Sequence, residues 1–300
     1  MPELPEVEVL VRHLRPLVCG RTIRAVVVHR ARVLTPTSPG QLQHALRGAT
    51  FTGLSRRGKY LVFELRLPGR RAPLILVGHL GMTGRMYLSP RSAPLPKHAA
   101  VVLDLGRNRF VYEDSRYFGR LTLDPRALSR MGPEPLSEDF TSAAFGAALA
   151  RSRQAIKVKL LDQSLVAGVG NIYASEALFR ARIAPQLAAR KLSRAQVKDL
   201  RRKIREVLAE AIRFGSTIPL HHGEKRGGDG LFYFGRAAGA TDYYTERLRV
   251  YDRKGLPCPR CQTAIRRIVQ AARSTFYCPG CQRRRMAPNQ KRAKSAVKTL

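Results

Sequence analysis

Met1-Pro2-Glu3-Leu4-Pro5-Glu6-Val7-Glu8 opens the chain, and Val9-Leu10-Val11-Arg12-His13-Leu14 continues it. Pro5 suits the first turn of a helix, where a missing N–H costs nothing. Val7, Leu10, Val11 and Leu14 recur at helical spacing and share one apolar face. Glutamates near the start suit the positive end of the helix dipole. One reading is therefore an amphipathic helix with a stiff lead-in, broken at Pro16 to Gly20. A second reading is chemical. A small residue at position 2 permits removal of Met1, which exposes the secondary amine of Pro2 beside Glu3. An α-amine has a pKa near ~8, and a nearby helix start lowers it further. Such an amine, attacking a sugar carbon, forms an iminium without a second deprotonation, and Glu3 sits close enough to move protons for it.

The 300 residues carry 55 Lys+Arg against 21 Asp+Glu, a formal charge of +34. That excess calls for a polyanionic partner, nucleic acid or an acidic membrane surface. No run of about 20 uncharged apolar residues is present to span a membrane. Glu3, Glu6 and Glu8 stand where a signal peptide carries basic residues. Nucleic acid and the cytoplasm are the expected setting, with a monomer attached to the nucleoid through DNA and no membrane partner.

From Thr22 to about Asp124 short apolar runs alternate with turn residues. Strands are predicted at Ile23–His29, Phe51–Arg56, Tyr60–Leu65, Leu74–His79, Ala99–Leu105 and Arg109–Tyr112, with a short helix at Gln41–Leu46. Many short strands at this spacing predict an antiparallel sandwich or barrel. Pro125–Ser142, rich in Pro, Gly and acid, reads as a linker. Helices dominate from Phe140 to Phe214, clearest at Ile156–Leu161, Ile172–Arg182 and Ser193–Phe214, the last with Ser193 as N-cap. Between two of them, Gly168-Val169-Gly170-Asn171 makes a turn in which Asn171 is placed to cap the next helix and free amides can hold phosphate.

Four of the five cysteines follow the pattern C-x2-C-x16-C-x2-C, at Cys258, Cys261, Cys278 and Cys281. This spacing signals one zinc ion in a two-knuckle ribbon with a hairpin between the knuckles. Four thiolates close the shell, so the metal is structural. Cys19 reads as a small buried thiol. The tail from Gln282 has seven Lys/Arg and no acid, which predicts disorder and nonspecific attraction to DNA.

The opening MPELPEVE, the glycine turn and the cysteine pattern together resemble the bacterial formamidopyrimidine-DNA glycosylases of the formamidopyrimidine-DNA glycosylase/endonuclease VIII family. The resemblance runs from Met1 to about Gln282. It implies an α+β chain: an N-terminal antiparallel β-sandwich with a leading helix (1–130), a helical domain with a helix–two-turn–helix element (140–245), a zinc-ribbon finger (246–282) and a basic tail (283–300). It implies Pro2 as nucleophile, Glu3 as the proton donor that opens the sugar ring, and Glu6 in support, although a helix-dipole role for Glu6 stays open.

The resemblance extends to the DNA contacts. Lys59, in the basic turn Arg56–Tyr60, would reach the lesion's phosphate and sugar. His79 would hold a phosphate, and Met82 would wedge into the base stack where a core-filling role is the alternative. His98 matches in part, since Ala99-Ala100 follow it. Arg116 and Phe118 match the wedge loop, with Ser115 and Tyr117 standing where the family has proline and a second basic residue. Lys157 and Asn171 would contact the DNA backbone, and Arg273, in Arg273–Tyr277 of the ribbon, would hold phosphate at the catalytic site. Ser216 and Thr217 match the edge of a lesion-recognition loop.

The expected activity is excision of oxidised purines, 8-oxoguanine and formamidopyrimidines, from damaged duplex DNA, with strand cleavage through the N-terminal proline. An endonuclease VIII-like enzyme for oxidised pyrimidines shares the amine and the zinc ribbon; Leu4 and the Arg116/Phe118 loop favour the purine enzyme. A noncatalytic zinc-ribbon DNA-binding protein would explain the charge and the cysteines but not the Pro2-Glu3 terminus.

Overall fold

The computed structural model describes residues 2–214 and 248–283. Helix α1 (Leu4–Val18) opens the chain with Glu3 as its N-cap residue, and the Glu3 amide donates to Glu6 Oε2 at 2.8 Å. Its apolar face is buried as the spacing requires, Val7, Leu10 and Leu14 completely. The helix runs through Pro16 rather than breaking there. Pro16 gives up one backbone donor near the end of the helix, but Val18 beyond it is fully buried.

Two four-stranded antiparallel sheets follow. One has the order β1 (Ala25–Val28), β6 (Ala99–Asp104), β7 (Asn108–Asp114), β5 (Gly84–Pro90), and the other β2 (Thr50–Arg57), β3 (Tyr60–Arg66), β4 (Leu74–His79), β8 (Arg120–Thr122). Helix α2 (Pro39–Leu46) packs against β1. Inward residues of both sheets, such as Phe51, Phe63 and Phe110, share one core with the buried face of α1, as period-two burial demands. Six strands coincide with those read from the sequence to within two residues at each end. Strands β5 and β8 were not read: β8 has only three residues, and β5 directly follows the Gly81–Gly84 turn.

Residues 126–214 form a second, helical core from α4 (Ser142–Ala150), α5 (Ile156–Lys159), α6 (Asn171–Arg180) and α7 (Arg194–Phe214), with the single turn α3 (Arg126–Ser129) before them. Ser193 caps α7: its hydroxyl accepts from the Gln196 amide at 3.2 Å, and the Gln196 side chain accepts from the Ser193 amide at 2.9 Å. Leu4, from the start of the chain, belongs to this helical core. The residues at the end of α1's lead-in thus join the two units.

A hairpin of β9 (Arg266–Gln270) and β10 (Arg273–Tyr277) stands between the cysteine pairs. Ala271 and Ala272 at its tip both have positive φ, 47° and 57°. Glu176 of α6, buried without exposure, accepts the amides of Val250 and Tyr251 at 2.9 Å each and of Arg249 at 3.1 Å. That carboxylate fastens the ribbon to the helical unit. Among the described residues no helix is long and apolar enough to cross a membrane. Ser216, Thr217 and the tail beyond Arg283 lie outside the described residues.

Candidate active site and nucleic-acid interface

The N-terminal Pro2-Glu3 meets the start of α6. Glu3, 1% exposed, accepts the Ile172 amide at 2.9 Å through Oε1 and the Tyr173 amide at 3.4 Å through Oε2. A carboxylate from the other core therefore sits at a helix N-terminus, where unpaired amides and the dipole favour negative charge. Asn171 is not the cap: Gly170 holds that position. The Asn171 side chain instead accepts from Lys157 Nζ at 2.6 Å and donates to the Ser274 carbonyl of the ribbon at 2.8 Å.

At Gly168 the turn amide is already taken and is not free for phosphate. Gly168 N–H donates to Gln163 Oε1 at 2.9 Å, and the Gly168 carbonyl accepts the Leu4 amide at 3.1 Å. Both glycines answer a close approach by the N-terminus. A Cβ at Gly170 would stand 2.2 Å from Glu3 Cδ, and one at Gly168 would stand 2.6 Å from Leu4 Cβ.

Glu6 lies behind Glu3 with 2% exposure, and Tyr173 donates to its Oε1 at 2.6 Å. Burial first, then the Glu3 charge, raises its pKa to about 7. Lys59 is also buried, and burial lowers its pKa; the Arg273 charge acts in the same direction, while Glu3 and Glu6 oppose it. Lys59, Tyr60, His79, Leu161, Gln163, Gly170 and Arg273 line one cavity of about 200 Å³.

His79 stacks against Tyr60 with ring centroids 4.7 Å apart, and its Nδ1 accepts the Gly81 amide at 3.1 Å. Burial, with the Lys59 and Arg120 cations, lowers its pKa to about 4. The ring is therefore neutral at physiological pH with its proton on Nε2, a directed donor.

Two turns beside this cavity carry the wedge candidates. Met82 is 40% exposed and Phe118 47%, which argues against core filling for either. The Arg116 guanidinium lies 4.7 Å over the Phe118 ring and 3.9 Å from Met82 Sδ. Buried Asp114 organises both turns. It accepts the Thr83 hydroxyl at 2.5 Å, the Arg116 amide at 3.1 Å and the Gly119 amide at 2.8 Å. His98 is half-buried, its ring 6.5 Å from Tyr117. Lys157 is only 1% exposed, and burial, with the Arg273 and Lys59 charges, lowers its pKa to about 8. It orients Asn171 in this state rather than facing solvent.

Glu134 was read only as part of a linker, yet it clamps the Lys59 turn. It accepts the Gly58 amide at 2.6 Å and pairs with Arg56 at 2.7 Å and Arg57 at 3.1 Å. Composition alone marks Pro125–Ser142 as a connection; no local pattern announces a contact that arises from packing.

The sulfurs of Cys258, Cys261, Cys278 and Cys281 all lie within 4.8 Å of one another, with neighbouring pairs at 3.4 to 3.8 Å. A tetrahedron with arms of about 2.3 Å has edges of about 3.8 Å. The four fit one zinc ion and leave no open position.

The two cores and the four-cysteine ribbon are shared with the zinc-finger DNA glycosylases. Three family models match in succession: the formamidopyrimidine-DNA glycosylase N-terminal domain over residues 1–121, its H2TH domain over 131–221, and the zinc finger found in FPG and IleRS over 255–284. A formamidopyrimidine-DNA glycosylase of Symbiobacterium thermophilum is 43% identical, the match covering 94% of this chain and 89% of that one. A Lactococcus lactis Fpg, solved with N7-benzyl-Fapy-dG DNA, superposes with a TM-score of 0.81 at 35% identity over 94% of this chain and 100% of its own. A MutM solved with carbocyclic 8-oxo-G DNA gives 0.82 at 35% identity over the same shares. The chain belongs to the formamidopyrimidine-DNA glycosylase family.

Proposed function

We propose that this DNA repair glycosylase excises 8-oxoguanine and formamidopyrimidines from duplex DNA through the Pro2 amine and then cuts the strand. One observation carries the reading: Glu3 is seated at the start of α6, against Gly170, which lines the cavity shared with Lys59, His79 and Arg273. Pro2 is the neighbouring residue and is partly exposed.

With Met1 removed, the Pro2 nitrogen attacks C1′ of the everted nucleotide. The C–N bond forms as the glycosidic bond breaks, and that electron pair leaves with the base. The amine proton passes to solvent. Glu3 protonates O4′, the sugar ring opens, and the nitrogen lone pair makes the iminium. Loss of a C2′ proton expels the 3′ phosphate, and a further elimination expels the 5′ phosphate. Lys59, His79 and Arg273 hold the phosphates, and Met82, Arg116 and Phe118 fill the space the base leaves. Asn171, backed by Lys157, and His98 contact the flanking backbone. The zinc ion supplies rigidity to the ribbon that carries Arg273. One chain holds every group named, which supports a monomer on DNA as the active form.

Borohydride trapping during turnover tests this. The covalent adduct should map to Pro2, and 8-oxoguanine should be released faster than thymine glycol. An adduct on Lys59, with full activity from a chain blocked at its terminus, would overturn it.

A further inference from the structure

Tyr117, in the loop that carries Arg116 and Phe118, meets an arginine that no role described above uses. Tyr117 lies between Arg116 and Phe118 with φ of 53°, the left-handed region, and its ring turns back to pack against the sandwich core. There it meets Arg30, which leaves β1 at the start of the 3-10 turn Ala31–Leu34. Arg30 Nε donates to Tyr117 Oη at 3.2 Å, and its guanidinium carbon lies 5.6 Å over the same ring. A second donor, Nη1, reaches the His29 carbonyl at 3.0 Å.

Of five guanidinium N–H groups, these contacts occupy two. Arg30 has no acidic partner among the described residues, and it is exposed. Elsewhere the basic side chains of the sandwich are often neutralised: Arg56 by Glu8 and Glu134, Arg85 by Glu113. The backbone is fixed as well, since the amides of His29 and Arg30 both donate to the Ala100 carbonyl, at 2.9 and 3.2 Å. An arginine held over an aromatic ring loses less rotamer freedom on binding than a free one. The His98 ring lies edge-on to Tyr117, with centroids 6.5 Å apart.

We infer that Arg30 is a DNA-phosphate ligand, braced by Tyr117, that grips the duplex backbone beside the Met82/Arg116/Phe118 wedge. The inference rests on the reading of the chain as a duplex-DNA glycosylase. The ligand is a backbone phosphate, so the contact adds affinity without reading sequence. Because Tyr117 lies between two wedge residues, the grip also ties the position of the wedge to the backbone.

The test is binding to a duplex carrying a tetrahydrofuran abasic analogue, measured by fluorescence anisotropy across about 50 to 200 mM salt. Arg30→Ala should reduce the slope of log Kd against log salt by about 0.9, the loss of one phosphate contact. Arg32→Ala, two residues on and without an aromatic brace among the described residues, should leave that slope within error of the parent. Placing the charge on the loop itself, Arg30→Ala with Tyr117→Arg, should restore the slope. An unchanged slope in Arg30→Ala, an equal loss in Arg32→Ala, or no restoration in the double variant would overturn the inference. Failure of the parent chain to bind the duplex would instead overturn the glycosylase reading beneath it.

Discussion

Glu3 Oε1 accepts the backbone amide of Ile172 at 2.9 Å, across 169 residues of chain. The contact joins the β-sandwich core to the helical core and sets a carboxylate against the amides of a helix start. It needs room, and Gly170 provides it.

Gly170→Ala tests that room. Its φ is −126°, open to any residue, so backbone strain is not the issue. The added Cβ would stand 2.2 Å from Glu3 Cδ and force the carboxylate away. Displacements of about 1 Å at a reacting group cost roughly 10²-fold in rate. Single-turnover excision should fall by at least that factor while affinity for an abasic-analogue duplex changes little. Full activity in this variant would separate Glu3's position from its chemistry.

Glu6 predicts a pH dependence of stability. Its pKa is about 7 in the folded chain against 4.5 as the ordinary value, so the folded state holds the proton more tightly. The stability this group contributes is complete below about 4.5 and is lost as pH rises toward 7. Glu6→Gln is uncharged throughout and should gain on the parent as pH rises across that window, by a few kcal/mol at about 1.4 kcal/mol per pKa unit. Denaturant unfolding at several pH values measures the difference; parallel curves would refute it.

Glu134→Ala removes the acceptor for the Gly58 amide and leaves Arg56, only 10% exposed, with Glu8 as its partner. Losing a partly buried carboxylate that takes a backbone amide and pairs with two arginines costs about 1 to 3 kcal/mol. The melting temperature should drop, and the loosened Lys59 turn should lower the excision rate. Glu134→Gln keeps an acceptor for Gly58 and should recover part of both.

Cys258→Ser or Cys278→Ser removes a buried zinc ligand. The ribbon should unfold, because a four-thiolate module draws its folding free energy from the metal. Zinc content should fall from one per chain, and DNA affinity should weaken with the loss of Arg273's platform. Stoichiometric zinc with normal binding in Cys258→Ser would refute a four-ligand site.

Much of this molecule is local and was legible in residue order. The apolar face of α1 repeats with the helical period, the strand from Tyr60 to Leu65 alternates with period two, and two C-x2-C pairs specify a metal before any fold is known. Such patterns are legible because neighbours in sequence determine them. The meetings between distant segments were not. Glu134 on the Lys59 turn carries no local signature, since Gly58, Arg56 and Arg57 reach it only when the two cores have packed; Asp114 takes amides close to it in sequence, but its Thr83 partner comes from another part of the sandwich. Gly168 and Gly170 were visible as a turn built for close approach, but what approaches was not. Only the tertiary structure brings in Leu4 and Glu3, because fitting a carboxylate against a helix start depends on the positions of both cores at once.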